Sequence, residues 1–165
     1  MADPEIRPAT EADVPEIVAV AEDALYAAYG GFVRPENVAA AIAEWYDPDL
    51  VAAAAESDEV ELHVAIEDGE VVGFASAEQT WADEVELHVI YVHPDRWGEG
   101  IGSALLSEVR SWAERQGVDR IACAAFEENA VGIGFLEAKG FEGGLEATTA
   151  IGDETHTERE FVLEL

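Results

Sequence analysis

Apolar residues return every three or four positions through Ile17, Val18, Ala21, Leu25 and Ala28, the stripe of an amphipathic helix over residues 11–29. Ahead of it, residues 4–7 read as a short strand, and Thr10 followed by Asp13 has the form of a capping box. Gly30-Gly31 breaks the stripe. A second helix starts after Arg34-Pro35 and carries Ile42 and Trp45; Asp47-Pro48 interrupts it, and Asp49 to Glu56 reads as a short further helix. Alternation then takes over at 60–67 and 70–80, a hairpin turning at Asp68-Gly69. Strand four is expected at 84–92, a helix at 101–116, strand five at 119–126 and a helix at about 129–139. Two final strands fall near 141–150 and 156–165, joined around Gly152-Asp153. With no repeat and no low-complexity linker, residues 1–165 are expected to form one domain.

The densest signal lies where strand four meets the next helix, through His93-Pro94-Asp95-Arg96-Trp97-Gly98-Glu99-Gly100-Ile101-Gly102-Ser103. Glycines at 98, 100 and 102 leave the backbone bare where a helix begins. The first amides of a helix lack internal partners, and its N-terminus carries about half a positive charge. Such a loop can cradle a pyrophosphate. A P-loop would need Gly-Lys before Ser or Thr, and a dinucleotide fingerprint would need glycine at 103, where Ser103 stands.

The segment Trp97 to Gly102 resembles motif A of the GCN5-related N-acetyltransferases (GNAT), Gln/Arg-x-x-Gly-x-Gly/Ala, with Trp97 in the place of Gln or Arg. Asn129 to Phe141 is similar to the same family's second signature: an Asn that caps a helix, Gly140 as its left-handed stop, and Phe141 returning to the core. Ile6 to Asp13 is similar to the family's usual opening strand and capped helix.

The resemblance implies an α/β fold, an acyl-CoA N-acyltransferase sheet of order β-α-α-β-β-β-α-β-α-β-β, splayed between strands four and five. It also implies acetyl-CoA as co-substrate, held by Trp97, Gly98, Glu99, Gly100, Ile101, Gly102, Ser103 and Asn129, with main-chain contacts from Ile90, Tyr91 and Val92 to the pantetheine arm and thioester. The helices bearing Tyr26, Tyr29, Trp45 and Tyr46 would wall the acceptor pocket. A tyrosine that often protonates the leaving thiolate in this family falls at Leu136, and a strand-five glutamate of some members falls at Ala124. Glu86, six residues before Val92, stands where some members carry a general base, and His88 shares its face by strand alternation. Both are expected catalytic residues.

Composition adds two bounds. Cys123 is the only cysteine, so no internal disulfide forms, no zinc-spaced cluster exists, and a cytoplasmic protein is expected. The acidic start lacks the basic and apolar regions of a signal peptide, and no apolar run is long enough to span a bilayer. Acidic residues number 37 against 8 basic ones, a net charge of −29 spread over every segment. On a surface of roughly 8,000 Å², net charges sit about 16 Å apart. That pattern fits a halophile's acidic protein and disfavours nucleic acid as a partner.

The expected activity is direct transfer of acetyl from acetyl-CoA to a primary amine in a ternary complex. One alternative is a degenerate relative that binds coenzyme A as sensor or structural ligand; another is a longer acyl donor. The expected partners are acetyl-CoA and an amine acceptor, with a homodimer allowed for and no membrane.

Overall fold

A computed structural model describes residues 3–165; Met1 and Ala2, at the acidic start, lie outside the described residues. The chain runs β1 (Glu5–Pro8), α1 (Val14–Tyr29), α2 (Pro35–Trp45), α3 (Pro48–Glu56), β2 (Val60–Glu67), β3 (Glu70–Trp81) and β4 (Glu84–Val92). It continues with α4 (Ile101–Gln116), β5 (Arg120–Phe126), α5 (Ala130–Ala138), β6 (Glu142–Ile151) and β7 (Glu154–Glu164). The strands form one mixed sheet in the order β1-β2-β3-β4-β5-β7-β6.

Three helices separate β1 from β2, as the helical reading of Asp49 to Glu56 expects and one more than the order β-α-α-β implies. Asp47-Pro48, read as an interruption, is instead a helix start: the Asp47 carboxylate accepts from the Asp49 N–H at 2.8 Å, and proline suits the first helical position. Before α1 comes a short 3-10 turn at Glu11–Asp13. The Asp13 carboxylate accepts from the Thr10 N–H at 2.8 Å and from both terminal nitrogens of Arg7 at 2.8 and 2.9 Å. The hairpin turn between β2 and β3 places Asp68 at φ 54° and Gly69 at φ 80°, the two left-handed residues of a type I′ turn.

Helices α1–α3 cover one face of the sheet, where Ile17, Leu25 and Val38 pack with Val64 and Phe74. Helix α4 covers the other, where Leu105 and Val109 pack with Val85, Leu87 and Ile121. The amphipathic stripes of the helices thus bury against both sides of a sheet that is itself apolar at its centre. Among the described residues no helix is long and apolar enough to cross a membrane.

Two irregularities of β4 shape the site. Its parallel pairing with β5 covers only Glu84–Leu87 against Arg120–Cys123; beyond Leu87 the two strands part. On the other side, β4 slips register against β3, with Leu87 opposite Ala77 but Val89 opposite Ser76, so that His88 is the extra residue of a bulge. Past the bulge the faces exchange: Ile90 and Val92 pack on the α4 side, Val89 and Tyr91 on the α1–α3 side.

Candidate active site

The parting of β4 from β5 opens a cleft of about 920 Å³ that runs from the glycine loop to the floor of α1–α3. At its α4 end, Gly98 and Gly100 have φ of 83° and 87°. A Cβ added at either would meet no heavy atom within 4 Å, so the space in front of both is open, and the left-handed backbone favours glycine there. Gly102 is bare for another reason: a Cβ there would lie 3.1 Å from the Phe135 ring, which packs α5 against the start of α4.

Main-chain direction on β4 follows from one hydrogen bond. The His93 N–H donates to the Val72 carbonyl at 2.9 Å. Alternation along an antiparallel pair then turns Tyr91 and Val89 toward β3, and turns the amides and carbonyls of Ile90 and Val92 toward the gap. The Val92 carbonyl accepts from the Trp97 indole N–H at 2.9 Å, which agrees with that direction. The expectation that Tyr91 offers its main chain is therefore corrected: its backbone is spent on β3, and it is its ring that lines the cleft.

Of the residues expected from sequence, Glu86, His88, Ile90, Tyr91, Val92, Trp97, Gly98, Gly100, Ile101, Gly102, Ser103 and Asn129 all line this cleft. Glu99 does not; its carboxylate turns to within 3.9 Å of the Arg96 guanidinium. Asn129 is buried, and its side-chain oxygen accepts from the Gly132 N–H at 3.0 Å, capping α5. Leu136, in the tyrosine position, is a buried wall residue without a proton to give.

Three charged groups missed in the sequence also line the cleft: Arg96, Lys139 and Glu158. Arg96 is held by Glu67 at 2.9 Å. Lys139, the chain's one lysine, lies 5.9 Å from the centre of the Phe135 ring and makes no ion pair among the described residues. Glu158 comes from β7, beside Phe126 of β5, and its carboxylate accepts from the Thr149 hydroxyl at 3.3 Å. Arg96 thus stands ahead of α4 and Lys139 at the C-terminal end of α5, while Glu86 and Glu158 come from strands of the sheet.

His88 stands between two carboxylates, with its Nε2 3.2 Å from Glu78 and its Nδ1 3.8 Å from Glu86. Its side chain and that of Glu86 are 36% and 48% exposed, open to water in the cleft. Below them the hydroxyls of Tyr29 and Tyr91 bond each other at 3.2 Å. Burial foremost pushes both phenols well above their usual range, with Tyr91 adding to the rise at Tyr29 and Tyr46 to that at Tyr91. Burial also pushes the Cys123 thiol up to about 12, with Glu86 and Glu158 adding to the shift.

The profile of the Acetyltransferase (GNAT) family matches residues 21–141, and the chain belongs to that family. It is 30% identical over 123 residues to an uncharacterized N-acetyltransferase of Methanocaldococcus jannaschii, an alignment that covers 71% of this chain and 53% of that protein. The chain therefore spans about half the length of that relative. Its fold is similar to a PaiA N-acetyltransferase of Thermoplasma acidophilum in complex with coenzyme A, with TM-score 0.83 and 21% identity over 95% of this chain and 98% of that one. It is similar also to a GCN5-related N-acetyltransferase structure from Rhodopseudomonas palustris, with TM-score 0.84 and 23% identity over 100% and 98% of the two chains.

Proposed function

We propose that the protein transfers an acetyl group from acetyl-CoA to a primary amine, both substrates being bound together. One observation carries this reading: a single cleft joins a bare glycine loop with two cations to the carboxylates of Glu86 and Glu158 on the sheet, where the parting of β4 from β5 leaves the main chain of Ile90 and Val92 unpaired by β5. Membership of the acetyltransferase family and likeness to a structure that holds coenzyme A support it.

The residues present fit acetyl-CoA. The amides about Gly98, Gly100, Gly102 and Ser103 would face its pyrophosphate, with Arg96 and Lys139 adding positive charge. The amides of Ile90 and Val92 would face its pantetheine arm and carbonyl, where a preorganised N–H donor stabilises developing oxyanion charge. Acetyl-CoA supplies the activated acetyl as a thioester; the new nitrogen–carbon bond forms as the carbon–sulfur bond breaks. Glu86 takes the amine's proton through water, and His88, paired with Glu78, holds that carboxylate's surroundings polar. The departing thiolate, with a pKa near that of cysteine at about 8.5, leaves without a dedicated acid. Leu136 is therefore compatible with turnover.

Direct transfer is favoured over an acyl-enzyme by the state of Cys123. Burial raises its thiol pKa far above the usual range, so little of it is nucleophilic thiolate at neutral pH. The surface, with its net charge of −29, suits concentrated salt, and we infer a halophilic setting from it. Release of free thiol from acetyl-CoA in the presence of a panel of primary amines tests the activity. Acetyl-CoA binding without thiol release from any amine would favour the sensor alternative.

A further inference from the structure

We propose that the acceptor is a primary amine whose body next to the nitrogen is apolar, an aryl or branched alkyl group, and not a polycation or a polar amine. The inference rests on the acetyltransferase reading above and names its second substrate by chemical class.

The acceptor half of the cleft is walled by α1–α3 and floored by β2–β4. These three helices carry seven acidic residues and no basic one, yet none of those acids lines the cleft. In a chain with 37 acidic residues, that exclusion is selective. What the helices do present is Ala24, Tyr29, Trp45, Tyr46, Leu50 and Ala54, over a floor that includes Phe74. The side chains at the bottom are almost fully buried, whereas Trp45 and Leu50 at the rim are 37% and 57% exposed. An apolar surface thus runs from solvent to the floor without a charged break.

Two of the phenols in this wall engage each other. The Tyr29 and Tyr91 hydroxyls bond each other at 3.2 Å, and their phenols stay protonated, so they present ring surface inward. Acid charge enters only at the sheet, through Glu86 and Glu158. That places one cationic head against the carboxylates and leaves the remainder of the acceptor against hydrocarbon. A polyamine would put its second ammonium into a wall with no carboxylate to receive it, a desolvation that disfavours binding unless the charge stays hydrated.

The test compares kcat/KM in high salt for 2-phenylethylamine, ethanolamine and spermidine, with a phenylalanine-led tripeptide amide as a further arm. Burying one phenyl ring should favour 2-phenylethylamine over ethanolamine by on the order of 30-fold. Preference for the tripeptide amide over its glycine-led counterpart by a similar factor supports the same chemistry and assigns the source to a peptide N-terminus. Leu50→Glu sets a charge at the exposed rim without touching the buried core, and should bring the phenylethylamine-to-ethanolamine ratio close to one. A merely structural effect of Leu50 would lower both rates and leave the ratio in place, overturning the proposal. Equal or better turnover of spermidine or ethanolamine would also overturn it, while leaving acetyl transfer itself intact. Thiol release from none of the amines would instead strike at the acetyltransferase reading.

Discussion

The indole N–H of Trp97 donates to the carbonyl of Val92 at 2.9 Å, tying the first residue of the glycine loop to the last residue of β4. The family pattern has Gln or Arg at this position, and the indole gives the departure a physical use. It fixes the loop relative to the strand whose main chain faces the gap. Trp97→Phe keeps the ring and removes the N–H, so acetyl-CoA affinity should fall by roughly 2- to 10-fold, the worth of one neutral hydrogen bond. Calorimetric titration of both proteins checks this; equal affinities would mean the bond does not order the loop.

Glu86 is assigned the amine proton. Glu86→Gln should lower the rate by about 10²- to 10⁴-fold, the usual contribution of general base catalysis, with acetyl-CoA binding retained. The deficit should shrink at high pH, where the amine arrives already neutral. A near-normal rate at pH 7 would move the role to His88 or Glu158, which line the same cleft; their single substitutions are the companion measurements. Full activity in all three variants would mean that the proton leaves to bulk water and the site works by positioning.

Much of this site was legible because its signals are local. A helix needs a cap and a stop, and Asn129 and Gly140 announce both in sequence; a glycine loop before a helix is equally local. The parts that were not legible depend on strands meeting in space. Glu158 reaches the cleft only because β7 pairs with β5, bringing it beside Phe126 from 32 residues away in the chain. Lys139 counts as a site cation only once α5 is packed against α4 through Phe135 and Gly102. The bulge at His88 is set by the register with β3, and simple alternation along β4 has no means of foretelling it. The third helix was legible from Asp49 to Glu56, and capping by Asp47 extends it by one residue to Pro48.

Asp13 links β1 to the start of α1, and its carboxylate is only 9% exposed. Hydrogen bonding from Arg7 foremost, then from the Thr10 amide, holds its pKa below the usual range against the opposing effect of burial. A lowered folded-state pKa gives stability that is present above the ordinary aspartate range and is lost as pH falls through the lowered value. Asp13→Asn should therefore cost about 2 kcal/mol at neutral pH, the worth of charge-assisted bonds. The gap to the native chain should narrow as pH falls below the ordinary aspartate range and through the lowered pKa. Urea unfolding in high salt at neutral and at acid pH measures it, and a gap that widened in acid would contradict the assignment.

Salt should stabilise the fold. The protein exposes 8458 Å² under a net charge of −29, so net charges lie roughly 17 Å apart. The Debye length is about 30 Å in 10 mM salt and about 3 Å at 1 M. Repulsion therefore acts across the surface in dilute buffer and is silenced in concentrated salt. The Tm should rise steadily from about 0.1 to about 3 M KCl; a flat profile would remove the halophilic reading.

The loop from Gly98 to Ser103 is proposed to hold the pyrophosphate of acetyl-CoA. Gly100 has φ of 87° and open space before it, so a side chain there would occupy the cradle itself. The decisive measurement is calorimetric titration of acetyl-CoA into the native protein and into Gly100→Val, in molar KCl, with circular dichroism to establish that the variant is folded. Saturable binding is expected with the native protein and none with the folded variant. Unchanged affinity in Gly100→Val would contradict it.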